Sequence, residues 1–136
     1  ADLPDSATLL LKGEAADVLP LVPAGWHLTA AQLSALAGQP RPLPAERWLA
    51  TSCHNPAELE LASALNCDFA TLSPVLATAT HPNTPALGWE QAQKLTLNAQ
   101  LPLYFLGGMT PEDIGQASQL GAQGIAAIRG LWPITI

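Results

Sequence analysis

The stretch that decides the fold is RWLATSCHNPAELELASALNCDFATLS, residues 47–73. RWLATS (47–52) reads as a strand and NPAELELASAL (55–65) as a helix. Asn55 stands at the N-cap, Pro56 at the first helical position and Glu58 in the first turn. CDFATLS (67–73) is a second strand. Two strands joined through a helix, with no hairpin turn, pair in parallel by a right-handed crossover. The residues therefore point to an α/β fold.

The pattern repeats on both sides. Downstream, GWEQAQKLTLNAQ (88–100) has helical spacing at Trp89, Ala92, Leu95 and Ala99. LPLYFLG (101–107) is a continuous apolar strand of the kind buried on both faces. TPEDIGQASQLG (110–121) repeats the helix-start signal with Thr110, Pro111, Glu112 and Asp113 and stops at Gly121, and QGIAAIRG (123–130) is a last strand. Upstream, ATLLLKG (7–13) and AGWHLT (24–29) read as strands. EAADVLPLV (14–22), interrupted near Pro20, and AAQLSALAG (30–38) read as helices, and QPRPLPAE (39–46) as a Pro-rich connector. An internal echo pairs ASALNCDFATL (62–72) with ASQLGAQGIAAI (117–128), as expected for one βα unit repeated in a barrel or a doubly wound sheet. Six strands result, and a closed eight-stranded barrel takes about 200 residues or more. The 136 residues fit one domain.

Composition narrows the partners. The chain is 49% hydrophobic and 12% charged, with net charge −6 and only five cations: Lys12, Arg41, Arg47, Lys94 and Arg129. That balance argues against a nucleic-acid partner. An anionic ligand has to be held by one or two of those cations, by a metal, or by backbone amides. No run is long enough to span a membrane and no basic segment precedes an apolar one, so a soluble, cytoplasmic protein without a signal peptide is expected. Cys53 and Cys67 lack C-x-x-C spacing and are expected to remain thiols.

The candidate chemistry gathers at strand C-termini, where parallel α/β folds carry their sites. His27, His54 and His81 are spaced 27 residues apart, about one βα unit. His27 reads as a half-buried strand residue and His81 as a solvated loop residue. A zinc site of the three histidines is disfavoured because no carboxylate stands nearby to orient the imidazoles. His54 shares its turn with Ser52 and has two readings, a proton shuttle near neutral pH or a turn cap. Cys53 should point away from His54, which disfavours a thiolate nucleophile. Gly107 and Gly108, ahead of the helix at Thr110, read either as a backbone phosphate site or as an ordinary tight turn. Arg129, on the last strand, reads as a phosphate ligand or a surface arginine.

SPVLATATHPNTPALGWE, LPLYFLGGMTPEDI, GAQGIAAIRGL and LATSCHNPAELELASALNCDFATLSPV together resemble the thiamine phosphate synthase superfamily, including its TenI-like thiazole tautomerases. The ordered set S-x-H, P-x-x-x-T-x-T and G-G-[IM], each after a strand, carries the resemblance. The chain also looks like the synthase-like domain that some bacteria fuse behind a nudix pyrophosphatase. The resemblance implies a (β/α)8 TIM barrel, incomplete here, with about six parallel βα units matching the third to eighth. The first two units, which carry a glutamine, arginine and lysine motif for the pyrimidine diphosphate, would then be absent. A missing N-terminal segment or a homo-oligomer would complete the barrel.

The same resemblance implies that Ser52, Thr78 and Thr80 hold phosphate with their hydroxyls, that Gly107 and Gly108 form the backbone phosphate site, and that His54 is the acid/base of the tautomerase branch. The ligand would be a small phosphorylated thiazole or pyrimidine. Departures accompany it. Lys12 and Gly13 stand where synthases place Asn-Asp, and Gln32 stands where they place the second magnesium-binding aspartate. His81 replaces a lysine and Arg129 a serine. With both carboxylates gone no cofactor is expected, and tautomerase-like chemistry is favoured over the synthase reaction, whose diphosphate leaving group needs the metal. The alternative is a catalytically inactive phosphate-ligand-binding or regulatory domain of a nudix fusion.

Overall fold

The computed structural model describes residues 8–77, 83 and 85–127. Six parallel strands form one sheet in the order in which they occur along the chain: β1 (Leu10–Leu11), β2 (Gly25–Leu28), β3 (Leu49–Cys53), β4 (Phe69–Leu72), β5 (Leu103–Leu106) and β6 (Gly124–Ala126). The crossovers carry α1 (Ala15–Val18), α2 (Ala30–Ala35), α3 (Pro56–Ala64), α4 (Gly88–Asn98) and α5 (Ile114–Gln119), the last preceded by a 3-10 turn at Pro111–Asp113. Strand order that never reverses separates this sheet from a doubly wound one. Successive right-handed crossovers put every helix on the same face, and the sheet curls with the helices outside. Among the described residues, no helix is long and apolar enough to cross a membrane.

Strand alternation divides the side chains. Trp26, Leu28, Leu49, Cys53, Ala70, Leu72, Leu103 and Phe105 join one buried cluster with Leu33 of α2, Leu59 and Ala62 of α3, Ala92 and Leu95 of α4 and Ala117 of α5. This outer layer is the hydrophobic core, each fully buried Leu or Phe contributing about 1.5–3 kcal/mol. Trp89 at the start of α4 lies over Phe105, ring centroids 6.3 Å apart. The inner face carries the alternate residues, with Trp48, Phe69 and Tyr104 stacked edge to tilt at 6.2 and 5.2 Å. The expectation that the fifth strand is buried on both faces is corrected. Leu103 and Phe105 are buried, whereas Tyr104 and Leu106, on the inner face away from the helices, are only half-buried.

The internal echo has a structural origin. In both segments the helix ends with a residue in the left-handed region, Asn66 at φ 61° and Gly121 at φ 102°. The following amide closes back on the helix, Cys67 N–H to Ala62 O and Ala122 N–H to Ala117 O, both at 3.0 Å. The shared Ala-Ser-x-Leu thus precedes a Schellman-type stop that turns the chain into the next strand. Asn55 caps α3 as its position predicts, its Oδ1 accepting the Glu58 N–H at 2.9 Å.

Two of the five cations are spent at the strand N-terminal edge. Arg47, buried, donates to the carbonyls of Ala24 and Leu19 at 2.9 Å each and of Val18 at 3.4 Å. Arg41 donates to the carbonyls of Leu43, Pro44, Arg47 and Asn66 and to Asp68 Oδ2 at 2.8 Å, and Asp68 Oδ2 also accepts the Leu49 N–H. The bonds to Leu43 and Pro44 satisfy carbonyls of the Pro-rich connector. Together the two sets of bonds leave both guanidiniums far along the strands from the opposite, C-terminal edge.

Candidate active site at the strand C-terminal edge

Cys53 ends β3 and His54 follows it immediately, ahead of the capped start of α3. The His54 ring Nδ1 lies 3.0 Å from Glu58 Oε1, and the same oxygen accepts the His54 backbone N–H at 2.7 Å. The His54 side chain is 46% exposed and that of Glu58 18%. The expectation that no carboxylate stands near the imidazoles is thereby corrected for His54. A residue at the third helical position reaches back over the helix start, and the sequence reading placed Glu58 only as an acid in the first turn of that helix.

Ser52 and His27, on adjacent strands, meet on the inner face with Oγ and Nε2 3.0 Å apart. Burial, followed by the Lys12 ammonium, lowers the His27 pKa from 6.5 to about 4. A neutral imidazole against a hydroxyl results. His27 is half-buried as expected, but its bond to Ser52 was not foreseen, since sequence gave no register between β2 and β3. The register pairs His27 with Ala50 and Ser52 with Thr71. Thr71 is buried on the same face, and its Oγ1 has no hydrogen-bond partner among the described residues.

Burial pushes both the Cys53 and Cys67 thiols up to about 12. Both are free and buried, and a thiol so held is a poor nucleophile.

Gly107 and Gly108 sit after β5 with φ of 107° and 65°. A Cβ on Gly107 would meet Pro74 Cα at 2.9 Å, and one on Gly108 would meet the Ala77 carbonyl oxygen at 2.9 Å. Ser73 N–H donates to Cys53 O, Val75 N–H to Leu106 O and Leu76 N–H to Gly107 O. The entry to the Thr-x-Thr loop is therefore held between the ends of β3 and β5, and the two glycines permit that approach. Thr78, Thr80, His81 and Arg129 lie outside the described residues.

The positions where the resemblance implies magnesium carboxylates do come together. Gln32 Nε2 donates to Gly13 O at 2.9 Å, and Trp26 Nε1 donates to the same carbonyl at 3.1 Å. Gln32 Oε1 meanwhile accepts the Thr29 N–H in a capping box. An amide that donates, a carbonyl already accepting twice and an exposed Lys12 ammonium do not fit a magnesium ion, which takes carboxylate oxygens.

A family model described as thiamine monophosphate synthase matches residues 5–131. The chain belongs to that family. Among curated relatives, it is 29% identical over 130 residues to the thiamine-phosphate synthase of Koribacter versatilis, covering 95% of this chain and 61% of that one. It is 35% identical over 77 residues to a putative thiamine-phosphate synthase 2 of Aquifex aeolicus, covering 57% of this chain and 41% of that one. In three dimensions it resembles the thiamine phosphate pyrophosphorylase of Pyrococcus furiosus, with a TM-score of 0.65 at 18% identity over 90% of this chain and 57% of the other. The chain of this thiamine-phosphate synthase family member thus spans less than two thirds of the length of these relatives. Its six strands form a curled half-barrel, the partial TIM-barrel architecture that sequence reading expected.

Proposed function

We propose that this member of the thiamine-phosphate synthase family holds a phosphorylated thiazole and shifts a proton on it, as a tautomerase does, rather than joining the thiazole to a pyrimidine. The observation that carries the reading is the 2.9 Å bond from Gln32 to the Gly13 carbonyl. It occupies, with reversed polarity, the place where a synthase would anchor the metal that stabilises its diphosphate leaving group. Tautomerisation needs only a grip on phosphate and a group that takes and returns a proton. In this reading Thr78, Thr80, His81, Gly107, Gly108 and Arg129 supply the grip, and His54 shuttles the proton. Ser52 already shares a hydrogen bond with neutral His27, and it meets the ligand with His27 as its partner.

The test uses full-length protein carrying this chain. His54→Gln is expected to abolish tautomerisation of the thiazole phosphate while sparing its binding; turnover at the original rate would remove His54 as the acid/base. Changing Thr78 and Thr80 together to alanine is expected to weaken binding on the order of tenfold, from the loss of hydrogen bonds to a charged group. Unweakened binding would sink the phosphate assignment. The loss of both magnesium carboxylates, with Gln32 bonded to the Gly13 carbonyl, also favours a second reading, a phosphate-ligand-binding regulatory domain of a nudix fusion. Binding without any turnover by the full-length protein would favour it.

A further inference from the structure

Resting on the reading of His54 as acid/base, we infer that Glu58 is the positioning residue that fixes which ring nitrogen of His54 exchanges the proton. One oxygen, Glu58 Oε1, takes both the His54 backbone N–H at 2.7 Å and the ring Nδ1 at 3.0 Å. A carboxylate only accepts, so the hydrogen of that second bond belongs to Nδ1. In the neutral ring Nε2 is then the basic nitrogen, left to take a proton from a ligand and return it.

A carboxylate that merely closed the helix start would need the backbone contact alone. Here the Asn55 side chain already caps α3 through the Glu58 N–H, at 2.9 Å. The ring contact adds something a cap does not require: it ties the imidazole plane to its own backbone through a single atom. An exposed histidine on a loop otherwise samples several rotamers and both tautomers, and fixing one of each removes that spread before the ligand arrives. The arrangement parallels the general pattern in which a carboxylate sets the tautomer and orientation of a working histidine. Glu58 is itself held, since its side chain is largely buried and its amide is engaged by Asn55.

The experiment is ring-nitrogen NMR on protein labelled with 15N-histidine, recorded on the neutral ring. His54 is assigned by the signal lost in His54→Gln. The unsubstituted protein is expected to show His54 with its hydrogen on Nδ1. Glu58→Ala is expected to move it to Nε2 and to lower turnover on the order of tenfold. Glu58→Gln keeps an acceptor oxygen in place and is expected to retain the Nδ1 hydrogen and most of the turnover, a rescue that loss of charge alone would not give. A hydrogen on Nε2 in the unsubstituted protein, or a tautomer unmoved in Glu58→Ala, would overturn the inference. The unsubstituted spectrum needs no variant, so misfolding of Glu58→Ala leaves the test standing. Original turnover in His54→Gln would instead remove the acid/base reading, while the ring spectrum still decides whether Glu58 sets the tautomer.

Discussion

The two faces of this one sheet are built on different rules. On the outer face Phe105 is fully buried, meets Trp89 of α4 and belongs to the apolar cluster under the helices. One residue away, Tyr104 stands half-buried against Phe69, and the residues beside it in register are Thr71 and Gly124. The outer face is dominated by burial, and apart from the buried Thr51 its contents are hydrophobes for which the right volume is what counts. The inner face trades burial for polar groups, His27, Ser52 and Thr71, that burial alone would exclude. A sheet of this kind keeps its stability on one side and its chemistry on the other.

The sharpest way to break that comparison is a pair of truncations. Phe105→Ala is expected to cost about 3–5 kcal/mol, because it empties a filled site between β5 and α4. Tyr104→Ala, at the neighbouring position but on the inner face, is expected to cost about 1–2 kcal/mol, since the ring is already partly hydrated. Urea unfolding of both would show equal losses if the faces were energetically alike.

Acidification probes the inner face next. The His27 pKa is lowered to about 4 from 6.5, so between those values the unfolded chain binds a proton that the folded chain refuses. Stability is therefore full above about pH 6.5 and is lost as the pH falls toward about 4. Because the ring is only half-buried, solvent screening limits the loss to on the order of 1 kcal/mol. Urea midpoints across that range should slope downward on acidification, and His27→Gln should flatten the slope; an unchanged slope would assign it elsewhere.

The smallest effect is expected at Thr71, whose buried hydroxyl has no partner among the described residues. Thr71→Val removes that unpaired group at constant shape and should be neutral or stabilising by up to about 1 kcal/mol. A clear destabilisation would mean that the hydroxyl is in fact satisfied, and the inner face less polar in its cost than the comparison holds.

Much of this was legible in the residues because it is local. The cap at Asn55 and the stop at Gly121 depend on a few adjacent dihedrals and hydrogen bonds, and both stand where the sequence puts them. Glu58 shows the limit. Its place four residues after His54 could have signalled the contact, since helical spacing brings such a pair together, but the histidine precedes the helix and only the turn geometry closes the distance.

The sequence by itself determined the alternation of strands and helices, the parallel pairing and the family, since these follow from periodicity, short connections and ordered motifs. Tertiary structure alone decided which polar groups meet: His27 with Ser52, Gln32 with the Gly13 carbonyl, and Arg41 and Arg47 with the strand starts rather than a ligand. The physical reason is register. A shift of one residue between parallel strands moves every side chain to the other face, and no local preference of His27 or Ser52 states where its neighbour strand will lie.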